Sequence, residues 1–337
     1  MGLQIGNIVP RTGIELSDLK NKTIAVDAFN TIYQFLSTIR QPDGTPLMDK
    51  NKKVTSHLSG LFYRNINLLK QGIKLIYVFD GKAPRLKQNT KEKRKQSKDV
   101  AFEKYQKAKQ KEQVEEMGKY AKQLSSLDEE KISESKELLE VIGIPCVQAP
   151  GEGEAQAAHM SQQKQVYGVG SQDYDSLLFG APLLIQNLTL ARKRRTSSGS
   201  LVSIGPELIE LSRVLNNLQI NHDQLICLGI LSGTDYNPGG IKGIGPKKAL
   251  NIVRKKKAPA LIFKQIPEQD IDFDWQEIFQ LFKKPDINKT KEIKFPKIQE
   301  NKIKEILLSR DFSEDRIESG LKKLREAKEQ AKQQTLF

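Results

Sequence analysis

Apolar residues fall in short β-rich blocks that each stop at an acid, with longer helical repeats between them. "KTIAVDAF" (22–29) reads as a buried strand closing on Asp27, and "KLIYVFDG" (74–81) repeats the pattern with Asp80 and a glycine. Between them, "TIYQFLSTIR" and "VTSHLSGLFYRNINLLK" carry helical periodicity. "VQAPGEGEAQAAHM" reads as strand, loop and helix, and "QVYGVGSQDYD" as another strand ending in aspartates. Strand–helix–strand alternation predicts an α/β fold, a parallel sheet with helices on its faces. In such sheets sites form beyond the carboxyl ends of strands, which is where these acids fall.

The segment "RLKQNTKEKRKQSKDVAFEKYQKAKQKEQVEEMGKYAKQL" breaks the alternation. It favours helix, has Gly118 but no proline, and is too polar to bury much surface. Two readings stand: a solvated helical hairpin over 82–130, or a basic arch above the strand ends. Basic residues gather in its first half, nearest Asp80. "ARKRRTSSGSLVSI" (191–204) reads as a basic turn between two strands, and from 205 onward the pattern is mainly helical. The chain closes in a polar tail, "AKEQAKQQTLF", and has no internal repeat.

At 337 residues, the chain can form one large α/β domain or two smaller ones. No apolar run approaches the ~20 residues of a membrane span, and no targeting signal is evident, so a cytoplasmic location is expected. Cys146 and Cys227 sit in apolar contexts, which suits buried thiols better than a disulfide. The net charge of +14 favours a polyanionic partner, above all nucleic acid.

The acids at strand ends and turns are Asp27, Asp80, Glu152, Glu154, Asp173, Asp175 and Asp235. Converging without compensation, they would repel one another and hold their protons. A hard divalent ion solves this, because magnesium takes oxygen ligands and keeps several waters. His57, His159 and His222 are scattered, and no zinc spacing exists. Asp173 and Asp175 would face one way if strand geometry persists through Tyr174. Glu152 and Glu154 flank Gly153 where a helix should begin, and its dipole tolerates negative charge. Asp27 alone could equally cap the following helix. Two ions about 4 Å apart suit phosphodiester hydrolysis.

"GGIKGIGPKKAL" (239–250) follows Asp235. Gly243 and Gly245 would expose backbone N–H groups, Pro246 would start a helix, and Lys247 and Lys248 would add charge. Amides at a helix N-terminus bind phosphate without reading bases. An ordinary tight turn between helices is the other reading.

Six segments in order, "VDAFNTIYQFLSTIRQ", "TSHLSGLFYR", "YVFDGKAPRLK", "APGEGEAQAA", "SQDYDSLLFG" and "LSGTDYNPGGIKGIGPKKA", resemble the motifs of the flap endonucleases, structure-specific members of the wider 5′-nuclease family. The resemblance spans roughly 1–330 and is of archaeal type. It implies a PIN-like core with a mostly parallel sheet, a helical arch and a helix–hairpin–helix-type DNA-binding region. It divides the chain into an N-terminal nuclease region (1–98), the overlapping arch (82–130), an internal nuclease region (116–258) holding the DNA-binding segment 232–256, a C-terminal helical region (259–329) and a tail (330–337).

The resemblance also implies roles. Asp27, Asp80, Glu152 and Glu154 would hold one magnesium ion, and Asp173, Asp175 and Asp235 a second, with manganese as a substitute. Lys87 and Arg94 would reach the scissile phosphate from one face of the first arch helix. Tyr33 would stack on a base. Arg40, Arg64 and the backbone at Gly233 would contact DNA, with Glu152 and Asp235 at the same interface, and "TSHLSGLFYR" would help to form a pocket for a short 3′ flap. Gly2 would become the amino terminus near the site, and potassium would assist the glycine turn. The implied activity is cleavage of 5′ flaps near the single-strand/duplex junction, with 5′–3′ exonuclease action, in DNA replication and repair. The implied partners are branched DNA and a sliding clamp, with the nuclease itself a monomer and no membrane involved. In the tail, Gln333 and Leu336 fit the first half of a clamp-binding segment, but Phe337 ends the chain without the double aromatic. Alternatives are a 5′–3′ exonuclease or bubble-cleaving repair nuclease, and a non-catalytic DNA-binding relative. The compact arch argues against a long bubble-specific insertion, and the intact acids argue against lost catalysis.

Overall fold

The structure, a computed structural model, describes residues 3–41, 43–82, 84–110, 113–189, 193–195, 201–289 and 292–334. The first half contains β1 (Thr12–Gly13), β2 (Thr23–Asp27), α1 (Ala28–Thr38), α2 (Ser56–Lys70), β3 (Lys74–Phe79), α3 (Gln88–Gln110), α4 (Val114–Gln123) and α5 (Glu129–Ile142). Then come β4 (Cys146–Gln148), α6 (Gly153–Gln162), β5 (Gly168–Gly170), α7 (Asp175–Leu178), β6 (Leu183–Gln186), β7 (Lys193–Arg195), β8 (Leu201–Ser203) and β9 (Glu207–Glu210). The remainder is helical: α8 (Leu211–Leu218), α9 (His222–Ser232), α10 (Pro246–Lys255), α11 (Pro259–Phe263), α12 (Trp275–Lys283), α13 (Glu300–Leu308) and α14 (Glu314–Gln334).

A seven-stranded sheet runs in the order β1-β9-β6-β5-β2-β3-β4. Strands β6, β5, β2, β3 and β4 are parallel, while β9 runs antiparallel to β6 and to β1. From β2 the chain steps outward to β3 and β4, then returns to β5 on the other side of β2. The crevice beyond β2 and β5 is therefore a topological switch point, where ligands of open α/β sheets bind.

The alternation of β2 and β3 builds two cores. Ala25, Ile76 and Val78 face a core shared with Ala157, Leu177 and Leu228. Ile24, Val26, Leu75, Tyr77 and Phe79 face another with Phe35, Phe62, Leu138 and Leu321. Both faces are covered, so these central strands read as continuous apolar runs. No described helix is long and apolar enough to cross a membrane.

The arch is a helical hairpin, α3 packed on α4, with Ala101, Ala108 and Ala121 buried. Small residues let two polar helices approach where large ones would need a core. Gly118 of α4 lies against Gly44, leaving no room for a side chain on Gly44. The basic strand β7 pairs antiparallel with β8 as the sequence predicts, and the turn 196–200 lies outside the described residues.

Four sequence expectations need correction. Strand β5 ends at Gly170, and Asp175 opens α7, so Asp173 and Asp175 do not share a strand face. Lys87 belongs to a 3₁₀ turn, Arg85–Lys87, ahead of α3. Its N–H reaches back to the Pro84 carbonyl (3.0 Å), so it does not sit two turns before Arg94 on one helix. Strand β9 lies in the stretch read as mainly helical: it is short, and it pairs between β6 and the edge strand β1. Finally, α14 continues through Gln334, into the segment set apart as the tail (330–337), since Ala and charged residues there favour helix.

Candidate active site

The acids come from strand ends, from the loops and helix starts that follow them and, for Asp235, from the turn after α9. Asp27 closes β2 and caps α1, its Oδ1 accepting from the Asn30 N–H (3.1 Å). Capping and site membership therefore coexist in one side chain. Asp80 follows β3 and accepts from the Gly153 N–H (2.7 Å) at the start of α6. A side chain on Gly153 would strike the Asp80 carboxylate at 2.7 Å, so glycine is what admits this approach. Glu152 is the N-cap of α6 and Glu154 lies in its first turn. Glu154 accepts from Ser171 (2.9 Å) and Ser176 (3.1 Å). Asp173 accepts from the Asn30 amide (2.8 Å), and Asp175 from the Leu3 N–H (3.3 Å).

Lys87 enters this set from the foot of the arch. Its ammonium bonds Glu152, lies 3.8 Å from Asp235 and sits 5.5 Å over the Tyr236 ring. Burial disfavours its charge, but Glu152, Asp235 and Asp80 outweigh this and raise its pKa. Burial and then Asp80 push Asp27 up to about 8, and burial and then Asp173 push Asp175 up to about 7. Burial likewise raises Asp80, Glu152 and Glu154, the last with help from Asp27, Asp175 and Asp173. Asp235 in turn raises Asp175 and Asp80, so the two sets that the resemblance implies interlock.

Among the described residues no three of His, Cys, Asp or Glu form a finished metal cage. The donors are carboxylates at strand ends, helix starts and the turn after α9, and the Lys87 ammonium lies among them. Such an all-oxygen, anion-rich set fits hard divalent ions that retain water. The histidines are elsewhere: His57 is buried against Glu134 (3.0 Å), and His222 meets the Leu177 carbonyl (3.1 Å). His159 lies on α6. No disulfide joins Cys146 and Cys227, and burial lifts both thiols to about 12.

Tyr33 is 41% exposed on α1, as a stacking platform requires. Arg40 and Arg64 are engaged within the protein. Arg40 donates to the Gly44 carbonyl (2.7 Å) and to Ser125 (2.6 Å), tying the segment after α1 to the base of the arch. Arg64 donates to the Thr189 carbonyl (2.5 Å) and lies 5.4 Å over Phe35. Gly233 ends α9 at φ +103°, with the backbone of Gly239 and Gly240 too close for a side chain. Gly243 has φ +78°, Gly245 caps α10, and a Cβ on either would meet nothing within 4 Å. The turn therefore faces open space. Lys247 is exposed, and Lys248 donates to the Gly243 carbonyl (2.9 Å). The backbone of Arg94 lies on α3 and that of Gln333 on α14, but their side chains are outside the described residues, as are Gly2, Leu336 and Phe337 altogether.

Sequence reasoning missed the neutral partners. Asn30, Ser171 and Ser176 each bond site acids, and Tyr236 lies under Lys87. The serines flank "QDYD" in sequence, a signal that acids alone obscured.

Family models for the XPG N-terminal domain and the XPG I-region match residues 6–101 and 143–235. Flap endonuclease 1 of Pyrococcus furiosus is 50% identical over 338 residues, covering 100% of this chain and 98% of its own. The solved flap endonuclease-1 of Methanococcus jannaschii is 40% identical with a TM-score of 0.76, covering 97% of this chain and 98% of its own. The catalytic core of Rad2 in complex with DNA substrate has a TM-score of 0.70 at 22% identity, covering 96% of this chain and 100% of its own, a likeness of fold.

Proposed function

The chain belongs to the flap endonuclease family, a family of metal-dependent nucleases, and on that footing we propose that it cuts 5′-flap DNA at the single-strand/duplex junction. It is a structure-specific nuclease of replication and repair, with 5′–3′ exonuclease action on nicked duplex. The observation that carries this reading is Lys87, projected from the foot of a basic arch onto the carboxylates of Glu152 and Asp235.

Two magnesium ions, or manganese in their place, would be held by Asp27, Asp80, Glu152, Glu154, Asp173, Asp175 and Asp235. When bound, they supply charge neutralisation for both the attacking and the leaving oxygen. The chain's own groups do the rest. The raised carboxylates give up protons on metal binding, which makes affinity pH-dependent. Lys87 exchanges its Glu152 contact for a phosphate oxygen and stabilises the charge that grows on phosphorus. Arg94 acts beside it. Water oxygen bonds to phosphorus, the bond to the 3′ oxygen breaks, and that oxygen takes a proton, leaving a 5′-phosphate and a 3′-hydroxyl. Tyr33 stacks on a base, and Arg40 and Arg64 serve the DNA backbone after exchanging their internal contacts. The α9–α10 turn holds duplex phosphates through Gly243, Gly245 and Lys247, with potassium nearby.

End-labelled flap, nicked and bubble DNA, incubated with and without magnesium, test this. Flap cutting at the junction that needs the metal is expected; preference for bubbles, or no cutting, would overturn it. The protein acts as a monomer, and its tail docks on a sliding clamp. Deleting 330–337 should leave isolated flap cleavage unchanged and weaken clamp binding in calorimetry. Equal affinity of full-length and shortened protein would remove the tail from that role.

A further inference from the structure

The N-terminal segment is held against the acids by one guanidinium that the reaction does not use. Arg11 immediately precedes β1, whose Gly13 pairs with Glu207 of β9. Its backbone is thus fixed at the antiparallel edge of the sheet. From there Nη1 donates to Glu207 (3.3 Å), and Nη2 donates to both the Gly6 carbonyl (2.5 Å) and the Tyr174 hydroxyl (3.0 Å). Glu207 also accepts from the Asn187 amide (3.3 Å), so the arginine's counter-ion is itself held.

Both ends of this bridge bear on the site. Tyr174 stands between Asp173 and Asp175 in sequence, is buried, and is the N-cap residue of α7. Gly6 is packed so closely under the Tyr174 ring that a Cβ there would lie 2.7 Å from the hydroxyl. Three residues earlier, the Leu3 N–H donates to Asp175 Oδ1 (3.3 Å). The Leu3 and Ile5 side chains are buried in the core that contains Tyr174 and Leu177.

We propose that Arg11 is a positioning residue for the divalent-metal site: by clamping Gly6 and Tyr174 to the sheet edge, it fixes the turn bearing Asp173 and Asp175 and keeps the Leu3 amide on Asp175. This rests on the reading that Asp175 binds a metal ion. The backbone hydrogen bond that Asp175 accepts from this segment comes from the Leu3 N–H, whose position depends on how the segment is seated. A residue that orients a ligand without touching the ion typically changes metal affinity by about 10–100-fold. It should do so while leaving duplex affinity alone, since neither Arg11 nor Tyr174 lies on the glycine turn or on the arch.

The test compares Arg11→Ala, Arg11→Lys, Tyr174→Phe and the Arg11→Ala/Tyr174→Phe double variant in the full chain. Manganese binding to DNA-free protein is measured by calorimetry, and single-turnover flap cleavage is titrated with magnesium. Arg11→Ala should weaken manganese binding and raise the magnesium midpoint by about tenfold. Its rate should recover at saturating metal. Arg11→Lys, which keeps the charge but has a single ammonium, should restore part of the affinity. The double variant should be no worse than Arg11→Ala, because Tyr174 acts through the arginine. An unchanged metal isotherm alongside a lower melting temperature would overturn the proposal and leave a purely structural arginine. If Arg11→Ala does not fold, the magnesium midpoints of Arg11→Lys and Tyr174→Phe decide the matter: a raised midpoint supports the clamp and an unchanged one overturns it. Asp175→Asn is the reference: if it too leaves manganese binding unchanged, the metal assignment has failed, whereas loss in Asp175→Asn but not in the Arg11 variants condemns only the clamp.

Discussion

The acids of the site are compensated in two different ways. Asp27, Glu154, Asp173 and Asp175 lean on neutral donors: Asn30, Ser171, Ser176 and the Leu3 amide. Those donors sit on the sheet's own connections or, for Leu3, on the buried segment ahead of β1, so this half is built with the core. Glu152 and Asp235 instead face Lys87, which arrives from the arch. Neutral dipoles orient a carboxylate but leave its charge, whereas an ammonium cancels it. Lys87 acts on Asp27 and Asp175 only as a more distant charge, which leaves their carboxyl groups raised, whereas it touches Glu152 and approaches Asp235 directly from the foot of the arch. Metal affinity and arch position should therefore separate by mutation.

The largest effect is expected on the neutral-donor half. Asp175→Ala should leave flap-DNA binding near normal and reduce single-turnover cleavage by ~10²-fold or more. Near-normal cleavage at saturating magnesium would remove Asp175 from the metal site. Next comes Lys87→Ala, which should slow single-turnover cleavage by a comparable or smaller factor, about 10²-fold, with duplex affinity nearly unchanged. Loss of affinity with the chemical rate retained would make Lys87 a binding residue. The two halves differ most clearly in metal dependence: excess magnesium should not rescue Lys87→Ala.

The crowding of carboxylates around Asp27 also has a pH signature. Asp27 has its pKa raised to about 8, above its unfolded value. A group of this kind binds more protons in the folded state, so its contribution to stability is full below the unfolded pKa near 4 and is lost as pH rises through about 8. Asparagine caps a helix as well as aspartate does. Metal-free Asp27→Asn should therefore gain in melting temperature over wild type as pH rises from 4 to 8, and magnesium should shrink the gap. A gap independent of pH would mean that Asp27 is not under this strain.

How much of this is legible in sequence depends on the interaction concerned. Strands β2 and β3, the helices α1 and α2, and the placing of acids beyond strand ends follow from local pattern, because burial on both faces leaves an unbroken apolar run. The geometry of Asp173 and Asp175 is not legible there. Strand β5 is only Gly168–Gly170, and what turns the chain after it is Ser171 bonding the Asp173 N–H (3.2 Å) and Glu154. That is a contact across seventeen residues, which no periodicity encodes. Lys87 reads as part of a helix for a similar reason: Pro84 sets a 3₁₀ turn that propensity alone does not reveal. Arg40 and Arg64 stand out as basic residues in sequence, yet their carbonyl partners, Gly44 and Thr189, are backbone atoms with no compositional trace.

The smallest effect on chemistry should come from the glycine turn, which tests whether binding and catalysis are divided as the two halves suggest. Gly243 needs its glycine for a backbone at φ +78°. Gly245 does not: it lies at φ −88°, ψ 176°, and a Cβ there would have nothing within 4 Å. It is also the N-cap of α10, a position where aspartate stabilises a helix. Gly245→Asp should therefore fold at least as well as wild type. Its carboxylate would nonetheless occupy the place where the α10 amides are proposed to hold a phosphate, and would repel it. Binding to every duplex-containing substrate should weaken by a similar factor, with a shallower salt dependence from the lost phosphate contact. Once the substrate is saturating, single-turnover cleavage should be normal. Weakening confined to one sequence would contradict backbone recognition, and a slowed chemical step at saturation would show that the turn and the carboxylates are not separate parts.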